Sequence, residues 1–199
     1  TAIFGLQLGF TLAVCLFLVG PVVLSMLAGL TVNYQRGLES GLTLRWVFEV
    51  WNLYSDTIFR SMGISLACLA CTLAVGVPAA YALARSPARP ARMIEEMLAA
   101  PVAVPGLAIA LGLLLSFGGF TDFRRSSGFI LAGHVLFTLP FMIRSVGAVL
   151  ASINLRELEE GASSLGASFV QRFFGVVLPN VLPGILSGSL MVLTLSIGE

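Results

Sequence analysis

Residues 3–30, IFGLQLGFTLAVCLFLVGPVVLSMLAGL, hold no Asp, Glu, Lys, Arg or His. A helix needs about 20 mostly apolar residues to cross the hydrocarbon core of a bilayer, and this run exceeds that. Pro21 is expected to bend it. The run is also too long for a signal-peptide core, and no basic region precedes it. Four more runs follow. Residues 58–84 carry Arg60 near one end and Pro78 near the other, and residues 97–120 contain Pro101 and Pro105. Residues 128–153 contain His134, Pro140 and Arg144, and a last run starts near Asn180 and continues to Glu199. None alternates with period two, and all are far too long for barrel strands. The expected fold is all-α: a polytopic transmembrane helical bundle, a single domain over residues 1–199 with five spans visible.

Composition agrees. Hydrophobic residues make up 57% of the chain and charged residues 11%, with a mean hydropathy of +0.98. Soluble domains carry about 25% charged residues, so a water-exposed surface cannot be built from this supply. A net charge of +1 argues against nucleic acid as a partner. All eleven basic residues are arginine. A P-loop needs its lysine on the nucleotide phosphates, and Schiff-base chemistry needs a lysine amine. If ATP drives this protein, another chain must hydrolyse it. Cys15, Cys68 and Cys71 all fall inside apolar runs, and the Cys68-x-x-Cys71 pair reads as helix packing rather than redox chemistry. Three cysteines and one histidine make no convincing zinc site, so no metal ligands are assigned.

Residues 31–57 differ in character. Leu44, Val47, Phe48, Trp51 and Tyr54 recur at helical spacing, with Arg45, Glu49, Asn52 and Asp56 on other faces. This predicts an outer loop carrying a short amphipathic helix at the membrane interface. Arg85, Arg89 and Arg92 crowd one short connection, whereas Arg36, Arg45, Arg60, Arg124 and Arg125 are spread over the opposite side. Short, arginine-dense connections weigh most in orientation, which makes the 85–92 connection cytoplasmic. Alternating spans then put residues 154–179 on the same side.

That second connection has its own pattern. Residues 156–165 form a short helix with Glu157, Glu159 and Glu160 near its start, where the helix dipole favours acids. Gly166 breaks it. Ser168 is placed to cap a second short helix over 169–176, with Phe169, Phe173 and Val177 near one face, closed by Leu178 and Pro179. Such an element is stiff and suited to transmitting a push, unlike a Gly/Ser-rich tether. The spacing Glu160-Gly161-Ala162, Gly166, Val176-x-Leu178-Pro179 resembles the E-A-A-x3-G-x9-I-x-L-P signature in the cytoplasmic loop of bacterial ABC-importer permeases. Gly161 stands for an alanine and Val176 for an isoleucine. The run 41–46 resembles the first outer loop of polyamine-type permeases, and the flavour of 196–199 that of permeases for polyamines, aminoethylphosphonate or ferric iron.

The resemblance implies the type I importer permease fold with six spans, in a bacterial inner membrane. It implies no enzymatic activity in this chain and no cofactor bound by it: ATP and Mg would sit on partner ABC ATPase subunits, docked by the 154–179 coupling loop. A second permease, identical or related, and an extracytoplasmic solute-binding protein would complete the importer. The missing initiator Met and the run ending at Glu199 lead to the expectation that the domain is incomplete at both ends, with a sixth span to follow.

Ionisable groups inside spans are functional candidates. Glu199 either lines the substrate pathway or meets water at the outer face. His134 is a pathway residue or polar glue between helices, and Arg144 snorkels toward the cytoplasmic end. Other readings stay open: a loop that merely connects two spans, an intramembrane protease using His134 with a serine, and an ATP-independent channel or secondary transporter.

Overall fold

A computed structural model describes residues 2–86 and 89–198, with backbone only for residues 2, 3, 89, 90, 92, 99, 101 and 102. Residues up to Ile58 form one compact unit and those from Phe59 another. In the first, helix α1 (Ala2–Gly29) runs through Pro21, and Ser25 Oγ donates to the Pro21 carbonyl at 2.8 Å. Thr31 and Leu42 then pair as an isolated antiparallel bridge, closed by Val32 N donating to Gly41 O at 3.1 Å and Thr43 N to Leu30 O at 2.7 Å. A 3-10 turn, Gly37–Ser40, joins them. Trp46 Nε1 donates to the Thr31 carbonyl at 2.9 Å, which ties the start of the next helix to this small loop.

That helix, α2 (Arg45–Arg85), corrects the expected short interfacial helix. The amphipathic segment is its first part, and the helix continues unbroken for 41 residues. At 1.5 Å rise per residue this is about 60 Å, about twice the hydrocarbon core. No proline lies between Arg45 and Pro78 to stop it.

The expected 97–120 span is also corrected. It is divided between α3 (Arg89–Ala103) and α4 (Gly106–Phe117), with Pro105 in extended backbone, φ −55° and ψ 136°, between them. Twelve residues of α4 reach about 18 Å, too short to cross alone. A four-residue turn, α5 (Thr121–Arg124), leads to α6 (Ser127–Ser152), which Ser126 caps by accepting from Phe129 N. Short helices α7 (Leu155–Ser164) and α8 (Phe169–Arg172) follow, then a π-helical turn, Phe173–Val177, and α9 (Leu178–Gly198). Among the described residues, four helical stretches are long and apolar enough to span: Phe4–Gly29, Arg45–Arg85, Ser127–Ser152 and Phe169–Gly198. Pro78, Pro140 and Pro183 lie inside helices that run past them, as membrane helices permit when neighbouring groups satisfy the freed carbonyls.

The core of the second unit sits where α6 meets α9 and the inner part of α2. Cys68, Met142, Val146 and Val192 are fully buried. A side chain at Gly184 would lie 2.7 Å from the Ser145 carbonyl oxygen, and one at Gly188 would lie 2.9 Å from Met142 Sδ. The 184/188 pair is therefore a close-packing face against α6. Gly5 and Gly9 have nothing within 4 Å of a built Cβ.

Candidate functional site

The spacing of the 160–179 pattern has a local cause. Ala162 is the third-last residue of α7 and Gly166 the second beyond its end, just after the C-cap Leu165. Ala167 N donates to Ala162 O at 3.1 Å, and Gly166 N donates to Ser163 O at 2.9 Å. These paired bonds make a Schellman ending, which needs left-handed backbone at the terminating residue. Gly166 supplies it with φ +82°. Two residues later Ser168 caps α8 through a capping box: Ser168 N donates to Gln171 Oε1 at 2.8 Å, and Gln171 N to Ser168 Oγ at 3.4 Å. The bend is thus closed on both sides by backbone geometry.

Leu178 and Pro179 do not end the second arm, as the sequence reading expected. The π turn places Leu178 N on Phe173 O, and α9 continues from it. Pro179 has no N–H to donate, and a wider turn ahead of it accommodates this without a break. Asn180 Nδ2 donates to Val176 O at 2.7 Å, satisfying one carbonyl of the turn. Leu178 packs on the core, and Pro179 is exposed.

The two faces of α7 do different work. On the outer face Arg156 Nε meets Glu160 Oε1 at 2.7 Å, with the side chains 88% and 63% exposed. The Glu160 hydrogen bond raises the Arg156 guanidinium above its ordinary pKa. Gly161 is exposed, with open space where a Cβ would stand. On the inner face Leu155 and Glu159 are buried. Tyr81, near the end of α2, donates its hydroxyl to Glu159 Oε1, and Arg85 Nε stands 3.3 Å from Glu159 Oε2. Arg85 Nη1 in turn donates to the Tyr81 oxygen at 2.9 Å. The Tyr81 ring also meets the second arm, edge-on to Phe173 at 5.2 Å between centroids and 6.2 Å from Phe169. Tyr81 therefore grips both arms of the loop. The Arg85–Glu159 pair also puts the end of α2 and the 154–179 loop at the same end of the bundle.

Tyr81, Arg85 and Glu159 were not singled out as site residues from sequence, although Glu159 was noted as a dipole acid. A signal was available: Leu155 and Glu159 share a face by their i, i+4 spacing, with Glu160 on another. A hollow of about 490 Å³ opens beside this cluster, lined by Arg85, Arg156, Glu159, Glu160, Ser163 and Arg172 among others.

His134 lines a separate cavity of about 250 Å³ between α4, α6 and α9, walled by apolar residues such as Ile109, Leu113, Phe129 and Phe137. Its Nδ1 lies 2.7 Å from Ser196 Oγ, which donates to Ser65 Oγ at 3.1 Å. The His134–Ser196–Ser65 chain links α6, α9 and α2 by polar bonding between helices. Thr138 Oγ1 donates to the His134 carbonyl at 2.7 Å and lies 3.3 Å from Cys68 Sγ. Cys68 and Cys71 are free thiols. Arg144 is exposed on α6. Glu199 lies outside the described residues.

The architecture is that of a multi-span helical membrane protein with a stiff, bent loop at one end. Residues 73–199 match the family described as binding-protein-dependent transport system inner membrane component. The chain is similar to the putrescine transport system permease protein PotI of Escherichia coli (strain K12), 31% identical over 208 residues covering 98% of this chain and 70% of that protein. It is similar to the putative 2-aminoethylphosphonate transport system permease protein PhnV of Salmonella typhimurium, 29% identical over 181 residues, or 90% of this chain and 68% of that one. The molybdate/tungstate transport system permease protein WtpB of Pyrococcus abyssi is 29% identical over 148 residues, covering 74% of this chain and 58% of its own. The chain belongs to the family of binding-protein-dependent transport system inner membrane components. It is a multi-pass permease of an ABC importer, a transport component.

Proposed function

We infer that residues 154–179 are the element through which a separate ATPase drives this permease. The observation that carries the reading is the division of labour on α7. Its inner face is locked to α2 through Glu159, while its outer face, with Glu160 and Gly161, is left open to a partner, as is the 90% exposed Leu165 just past its end. A push on the outer face reaches α2 through Tyr81 and Arg85, and α9 through the continuous helical second arm. ATP and Mg belong to the ATPase subunits, and this chain binds no cofactor of its own. A second permease, identical or related, and an extracytoplasmic binding protein complete the importer.

The cargo is a small solute of the polyamine or aminoethylphosphonate type. The likeness to PotI and PhnV supports this class. His134, on its cavity, and Glu199 are assigned to the substrate pathway.

Gly166→Val tests the coupling reading. A β-branched residue at φ +82° is strained by about 1–3 kcal/mol, so the bend between the arms is lost. The variant is expected to insert but to recover little ATPase on co-purification through a tagged permease. Glu160→Ala should show a milder loss. Wild-type transport and an intact complex in both variants would reduce the loop to a connector. Absence of any ATPase from the wild-type preparation would favour a channel or secondary transporter.

A further inference from the structure

Both carboxylates of the hollow beside α7 are already engaged within the chain. Glu159 takes Tyr81 and Arg85, and Glu160 takes Arg156. The third guanidinium of the lining, Arg172 on α8, has no hydrogen bond or ion pair among the described residues. Its Nε is shielded from solvent and has no acceptor among the described residues. A guanidinium carries five N–H donors in a fork that matches a carboxylate, and a shielded donor without a partner is unfavourable. The hollow is thus left with three arginines against two glutamates and one unmet cation.

The surroundings say what kind of partner answers it. Leu165 is 90% exposed, and Val170 and Phe174 are each 61% exposed on the same loop. Exposed apolar side chains on the same loop as an unpaired arginine match a protein interface, where arginine and aromatics are enriched. Recognition of anionic lipid headgroups instead uses clusters of about 4–8 unpaired basic residues, and here the other two arginines are already paired.

We propose that this hollow receives a carboxylate side chain of the ATPase subunit, which pairs with Arg172. The inference rests on the coupling reading above and adds the chemistry of the partner's surface: an acid next to an apolar contact for Leu165. Docking shields the new ion pair from water and so strengthens it.

The test uses the full permease–ATPase complex, captured through a tag on the permease and reconstituted in nanodiscs with and without anionic lipid. Arg172→Glu is expected to lower ATPase recovery by about tenfold or more, since like charges oppose each other in a desolvated site. Arg172→Lys, which keeps the charge but loses the fork, should lower it by about threefold. Wild-type recovery should fall as NaCl is raised from about 50 to about 500 mM, and that of Arg172→Gln should fall less steeply. This salt comparison decides the question even if Arg172→Glu fails to insert. An acid-to-arginine change in the ATPase that restores Arg172→Glu would identify the partner residue. Wild-type recovery and an unchanged salt slope in Arg172→Gln would overturn the proposal. So would a loss seen only when anionic lipid is present, which would make a headgroup the occupant. If Gly166→Val also leaves recovery untouched, the coupling reading itself fails, an outcome separate from an effect confined to Arg172.

Discussion

Removing the Glu159 carboxylate should free the first arm of the loop from α2 while leaving its outer face intact. Tyr81 and Arg85 both converge on this buried side chain. A hydrogen bond to a charged group contributes about 1.5–3 kcal/mol net. The Arg85 side chain is 45% exposed, so its attraction is partly screened and adds only about 0.5 kcal/mol. Glu159→Ala should therefore ease local opening of α7 by about 2–3.5 kcal/mol, a factor of about 30 to 350 in the opening equilibrium. Glu159→Gln keeps an acceptor for Tyr81 and should lose about 1–1.5 kcal/mol, roughly a tenfold change. The control is Glu160→Ala, whose pair with Arg156 is exposed and screened by solvent and should move exchange by about twofold at most. The measurement is amide hydrogen exchange over residues 155–166 in the reconstituted permease. Native protection in Glu159→Ala, or a larger effect from Glu160→Ala, would refute the assignment of the inner face as the lock.

Two other outcomes follow from packing and topology. Gly184→Ala puts a methyl group 2.7 Å from the Ser145 carbonyl oxygen, where backbone has to move. Overpacking of this kind costs about 1–3 kcal/mol and should lower the thermal midpoint in detergent, whereas Gly5→Ala, with nothing within 4 Å, should leave it unchanged. A cysteine at Ser86 should resist a membrane-impermeant thiol reagent in intact cells, and one at Ser40 should react. The reverse pattern would invert the orientation and place residues 154–179 away from any cytoplasmic ATPase.

The local chemistry of the loop was legible because its closures join residues close in the chain. The Ala162 and Gly166 spacing and the Ser168 capping box each close within five residues, so residue type and interval suffice to place the bend. The spans were legible for a similar reason, since backbone satisfaction in lipid leaves an apolar run little choice but a helix. Where a helix stops was harder to read. The Leu44–Tyr54 pattern promised a separate helix, yet without a helix breaker α2 runs through it. Proline ends the helix at Pro105 and not at Pro179, because the π turn and Asn180 absorb the lost bond at the latter site.

By itself the sequence determined a charge-poor helical membrane protein, the bend at Gly166 and the family pattern around Glu160. Only the tertiary structure decided that Glu159, and not its neighbour, is the buried acid, and that Tyr81 holds both arms of the loop. Tyr81 and Glu159 lie 78 residues apart. Periodicity assigns each to a face of its own helix, but which faces meet depends on how α2 and the loop pack together. That contact is also what leaves Arg172 as the one cation of the hollow without a carboxylate among the described residues.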